Sequence, residues 1–204
     1  MDTTARQGIY DPDNIDNGRS NADELYDGLA GLDGIVSQQN MHREGIGLAW
    51  ARDSIVASQH PDIVIIHRSS FFHPLAAYLK LEYPPFTDDA DGEKLKKWQA
   101  IYDAQDNRLR SFIRTVGAVE PQTQFLIYST GTDKNWLKPE FRAKWTETLE
   151  SELPTFKGRI NTMVIPKRPT GEKGFRDPAT MNEIRSRVSE MIKKLEKRKT
   201  EKSN

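Results

Sequence analysis

The run Asp62-Ile63-Val64-Ile65-Ile66, followed at once by His67-Arg68-Ser69-Ser70, constrains this chain most. A short segment of β-branched residues that stops at polar groups reads as a central strand of a parallel sheet, buried on both faces. Two further segments repeat the pattern. Phe125-Leu126-Ile127-Tyr128 runs into Ser129-Thr130-Gly131-Thr132, and Thr162-Met163-Val164-Ile165 runs into Pro166-Lys167-Arg168. In open α/β sheets ligands bind beyond the carboxyl ends of the strands, so these three runs are expected to bring polar side chains to one rim.

Between the strands the apolar spacing changes from two to nearly four. Leu95, Trp98, Ile101, Tyr102, Leu109, Phe112, Ile113 and Val116 predict a long amphipathic helix stopped near Gly117. Phe141, Trp145, Leu149 and Leu153 recur every fourth residue, and Pro154 closes that helix. Asp177-Pro178 is a helix cap followed by proline at the first helical position, ahead of Met181, Ile184, Val188, Met191, Ile192 and Leu195. Earlier, Ser20 with Asp23 resembles a capping box before Leu25, Leu29 and Leu32, and Ile35-Val36 reads as a brief strand. The alternation predicts a single α/β domain, doubly wound with a mainly parallel sheet in a three-layer α/β/α arrangement. Residues 1–19 form a polar arm or weak first strand, 20–196 the domain with an inserted loop and long helix at about 74–117, and 197–204 a basic polar tail.

Composition narrows the function classes. Thirty basic and thirty acidic residues cancel, so no global field draws the chain to nucleic acid or an anionic membrane. The absence of cysteine removes disulfides, thiolate nucleophiles and cysteine-based metal sites. His42, His60, His67 and His73 show no metal-ligand spacing, so no metal and no cofactor is expected. No run reaches the length of a membrane span and the N-terminus lacks the apolar core of a signal peptide, which predicts a soluble, most simply cytoplasmic, protein.

The densest chemical cluster is His67, Arg68, Ser69 and Ser70. It combines an imidazole, a guanidinium suited to bidentate anion contacts, and two hydroxyls. The bland alternative is that His67 and the serines satisfy backbone groups at a strand end. Ser129-Thr130-Gly131-Thr132 reads as a flexible turn whose amides would face an anion if a helix starts just after it, or as an ordinary turn with Asp133 or Asn135 as helix cap. Lys167 and Arg168 are a further basic group on the rim, or solvated loop charge. No G-x-S-x-G elbow, P-loop or dinucleotide fingerprint is present. Tyr83-Pro84-Pro85-Phe86, ahead of an acidic loop, is a candidate docking segment for a protein partner. The Asp11-Pro12-Asp13 stretch is similar to the D-x-D start of haloacid-dehalogenase-type phosphatases.

Taken over residues 8–195, the order of elements resembles a response-regulator receiver domain, which has a flavodoxin-like fold. The resemblance implies Asp11 and Asp13 as the acidic pair, Ser129 or Thr130 as the hydroxyl after the fourth strand, and Lys167 as the lysine after the fifth, with Arg168 where a proline would follow. His67 occupies the phospho-acceptor position. An imidazole cannot form the acyl phosphate or replace the carboxylate that helps hold Mg²⁺, so the resemblance implies a fold without the usual phospho-switch.

The leading expectation is a noncatalytic receiver-like or flavodoxin-like signalling or interaction module, binding a small anionic ligand through Arg68, Ser70, Thr130, Lys167 and Arg168. The alternative is a hydrolase acting on a phosphate or ester substrate, with His67 as acid or base and Ser69 or Ser129 as hydroxyl contributors. A third is an oligomer subunit, which would leave faces of Trp98, Phe112 or Trp145 exposed on the isolated chain.

Overall fold

A computed structural model describes residues 21–35, 60–68, 92–130, 135–165 and 177–203. Within them lie α1 (Asn21–Leu29), β1 (Ile63–His67), α2 (Gly92–Val119), β2 (Gln124–Thr130), α3 (Pro139–Glu152), a 3₁₀ turn (Pro154–Phe156), β3 (Ile160–Ile165) and α4 (Pro178–Ser203). The three strands form one sheet in the order β1-β2-β3, with both pairings parallel. Val64 lies opposite Phe125, and Phe125 opposite Ile160. β2 and β3 end together at Thr130 and Ile165, and β1 ends at His67, opposite Tyr128.

Alternation along each strand sorts the core into two halves. Val64, Ile66, Phe125, Ile127 and Ile160 pack with Leu109, Phe112, Ile113 and Val116 of α2 and with Trp145 and Leu149 of α3. On the opposite face Leu126, Tyr128, Met163 and Ile165 pack with Leu25 and Leu29 of α1 and with Ile184, Val188 and Met191 of α4. Helices thus cover both faces of a parallel sheet, which is why its strands are apolar at consecutive positions rather than alternate ones. Phe112 and Trp145 are spent in this core, leaving neither as the exposed face that an oligomer subunit would show. The side chain of Trp98 lies outside the described residues.

Several local readings hold. Asp177 caps α4 through Oδ2, which accepts both the backbone N–H and the hydroxyl of Thr180 at 2.8 Å. The 197–203 stretch, expected as a polar tail, belongs to α4, which runs to Ser203, and Lys199 pairs with Asp62 at 3.3 Å. No described helix is long and apolar enough to cross a membrane.

Others are corrected. Ile35 closes a turn, donating its backbone N–H to the Leu32 carbonyl at 3.1 Å, and Val36, the other residue of the expected brief strand, lies outside the described residues. α2 ends at Val119, close to Gly117 as expected, but Gly117 lies inside the helix. Its role is contact: a Cβ there would overlap the Phe156 ring, so the missing side chain lets the 3₁₀ turn close on the helix. Ser129 and Thr130 belong to β2 rather than to a turn, paired with Val164 and Ile165, because β3 is long enough to extend the ladder over them.

A second feature escaped the sequence reading. Arg159, just before β3, is 1% exposed and fastens the end of the sheet opposite the strand carboxyl termini. Its guanidinium donates to the carbonyls of Thr123 at 2.8 Å, Glu120 at 3.0 Å, Thr155 at 3.2 Å and Gly117 at 3.4 Å. It also lies over the Phe156 ring, 4.5 Å from the centroid. Burial, and then the neighbouring Arg198 guanidinium, push its pKa down to about 10, so it remains charged at neutral pH. A cation at this place neutralises the carbonyl end of α2.

Candidate functional site

At the carboxyl rim, strand alternation decides which groups meet. His67 is the last residue of β1 and falls on the α1/α4 side, edge-on to Tyr128 with centroids 4.9 Å apart. Arg68 follows it, donates its backbone N–H to the Tyr128 carbonyl at 2.7 Å, and turns its side chain to the α2/α3 side. Adjacent residues of a strand point to opposite faces, and here that rule splits the cluster on which the hydrolase reading depends. His67 and Arg68 do not converge.

On the α2/α3 side Arg68 enters an aromatic and ionic corner. Its guanidinium carbon lies 4.8 Å from the Trp136 ring centroid and 5.4 Å from that of Phe141, and its side chain is only 8% exposed. One Arg68 nitrogen is 3.7 Å from Asp106 Oδ1. Asp106 also accepts from Arg110 Nε at 2.8 Å and from the Trp145 indole N–H at 2.6 Å. Arg110 in turn lies over Trp145, 4.8 Å from its centroid. Two guanidinium groups meet one carboxylate, and both lie over aromatic faces that favour a cation. Asp106 and Arg110 are part-buried, their side chains 19% and 14% exposed.

The elements that build the corner have plain local causes. Asp106 and Arg110 are one helical turn apart on α2, the spacing at which opposite charges meet. Gln105, Leu109, Phe112 and Val116 are among the buried residues that α2 turns inward. Trp136 is fully buried and donates its indole N–H to the Met163 carbonyl at 3.0 Å, which ties the approach to α3 onto β3. Its ring meets Trp145 edge-on at 5.4 Å. Arg142 donates to the carbonyls of Trp136 and Leu137, holding the turn before α3.

The remaining expected site residues fall as follows. Ser129 is buried in β2, on the strand face that carries Phe125 and Ile127, so it shares the α2/α3 side with Arg68. Thr130 ends β2, and its side chain lies outside the described residues. So do Ser69, Ser70, Lys167, Arg168, Asp11, Asp13, Asp133 and the Tyr83–Phe86 segment. α3 does not start directly after the hydroxyl-rich stretch: it begins at Pro139, and its N-cap Lys138 makes no side-chain cap bond, so Asn135 is not the cap. Sequence reasoning missed Asp106, Arg110, Trp136 and Phe141; only the Asp106–Arg110 spacing carried a local signal.

No family model, no curated protein and no solved structure matches this chain.

Proposed function

We propose that this chain is a noncatalytic, flavodoxin-like module, doubly wound and of receiver-like order, that binds a small anion at the carboxyl rim of its sheet on the α2/α3 side. The observation that carries the reading is the convergence of Arg68 and Arg110 on the single carboxylate of Asp106, at the corner where β1 and β2 end. Parallel sheets place ligands at this rim, and guanidinium groups are suited to bidentate contact with an anion. The separation of His67 from Arg68 and Ser129 by the sheet argues for binding over hydrolysis, since acid–base work needs the base within hydrogen-bond reach of the group it serves.

Melting temperatures measured with inorganic phosphate, short carboxylates and nucleotides test this. A native-state ligand at about a hundred times its Kd adds roughly 2.7 kcal/mol. The expected result is a rise for at least one anion class in the wild type, lost in Arg68→Ala when each protein is compared with its own ligand-free melting temperature. No rise for any anion in the wild type would contradict the reading.

A further inference from the structure

The last turns of α4 carry charge that the core does not require. The helix has 26 residues, about 39 Å, against strands of five to seven residues, about 16–23 Å. Gln124, the first residue of β2, donates to the Met191 carbonyl at 2.8 Å, and Lys199 reaches Asp62, just before β1, at 3.3 Å. Over these residues the helix passes the amino end of the sheet. Leu195 is its last apolar residue, and 196–203 hold no apolar or aromatic side chain. Between 193 and 202 stand six lysines and arginines against Glu196 and Glu201, a net of +4 in a chain whose total is zero.

These cations are grouped. Lys193 and Lys197 form one i,i+4 row and Lys194 and Arg198 the row beside it, each rising about 6 Å along the helix. Lys193, Lys194 and Lys197 are exposed and Arg198 is half-buried. Among the described residues Lys193, Lys194 and Arg198 meet no carboxylate, and Lys197 is 3.8 Å from Glu201. Like charges at this spacing oppose helix formation, and a polyanion laid across them relieves that repulsion. The block adjoins Gly158, where a Cβ would stand 4.0 Å from the Arg198 guanidinium, and the buried Arg159, whose pKa is lowered by burial and then by Arg198. Positive charge thus gathers at the end of the sheet opposite the Arg68 corner. We propose that this block is a docking surface for the phosphate backbone of a nucleic-acid duplex, bound without sequence preference. A duplex carries one negative charge per about 1.7 Å of its axis, which complements closely set cations. With no aromatic or apolar side chain after Leu195, the helix end has nothing to stack on unpaired bases or to enter a lipid surface, which favours a duplex over a single strand or a bilayer.

Fluorescence anisotropy of the full chain with two DNA duplexes of about 20 base pairs and unrelated sequence, from about 50 to 200 mM salt, tests this. Four phosphate contacts predict a slope of about −3.6 for log K against log salt, a roughly hundredfold loss over that range, alike for both duplexes. Lys193→Gln/Lys194→Gln removes two contacts, so the slope is expected to fall to about −1.8 while the melting temperature stays that of the wild type. Arg108→Gln/Lys144→Gln, at exposed positions of α2 and α3 over the other face of the sheet, removes the same charge and is expected to bind as the wild type does. No binding to either duplex at about 50 mM salt, an unchanged slope in the α4 variant, or an equal loss in both variants would overturn the proposal. So would a strong preference for one duplex, or capture by phosphatidylserine vesicles of a protein that ignores both duplexes.

Discussion

Arg159→Ala is expected to lower the unfolding free energy by about 3–6 kcal/mol. The guanidinium serves four carbonyl groups contributed by the end of α2, the turn before β2 and the 3₁₀ turn. Each buried carbonyl left without a donor costs on the order of 1–3 kcal/mol, and partial access of water to the Thr155 and Glu120 sites reduces the sum. A domain of this kind has roughly 5–15 kcal/mol to lose. Arg159→Lys restores the charge but not the planar fork, so it recovers only part of the loss. Denaturant unfolding checks both variants. A midpoint shift equivalent to less than about 1 kcal/mol for the alanine variant would show that the carbonyls are satisfied without the arginine.

Trp136→Ala is expected to cost about 3–5 kcal/mol and to abolish anion binding with it. The ring is fully buried between Trp145, Phe141 and Arg68, and its N–H holds the Met163 carbonyl. Truncation opens a cavity at the approach to α3 and removes the surface on which Arg68 lies. Trp136→Phe separates the two effects: it keeps most of the apolar bulk, loses the hydrogen bond, and should cost about 1–2 kcal/mol. Thermal or denaturant unfolding of both variants, followed by the same anion titrations, gives the comparison. An alanine variant that binds anions as the wild type does would separate Trp136 from the site.

Much of the fold is legible in the sequence because it depends on local pattern. The β-branched run at 63–66, the four-residue spacing of Phe141, Trp145 and Leu149, and the Asp177-Pro178 cap each specify an element without reference to the rest of the chain. Where local signals are ambiguous the tertiary structure chooses. Gly117 carries the sign of a helix stop, yet the approach of Phe156, 39 residues away in sequence, makes it a contact point inside the helix. Ser129 and Thr130 have turn chemistry, and pairing with Val164 and Ile165 holds them in the strand.

The candidate site is less legible than the fold. His67 and Arg68 are adjacent in sequence, which made them look like one cluster, while the period of two along a strand sends them to opposite faces. The partners that Arg68 acquires come from α2 and from the approach to α3, and nothing local in the sequence announces Trp136 or Asp106 as its neighbours. Arg159 is hidden for the same reason. Its acceptors lie up to 42 residues away, and a lone arginine before a strand reads as surface charge.

The central claim is that a small anion binds on the α2/α3 side of the rim, against Arg68 and the two tryptophans, and not on the side of His67. A titration with phosphate and then lactate, followed by proton–nitrogen NMR, tests it most directly. The chain has four tryptophans, so four indole N–H signals report separately, and the imidazole of His67 reports on the opposite face. Saturable shifts of the Trp136 and Trp145 indole signals, with His67 unmoved, are the predicted result. Shifts centred on His67, or none at either face, would contradict it.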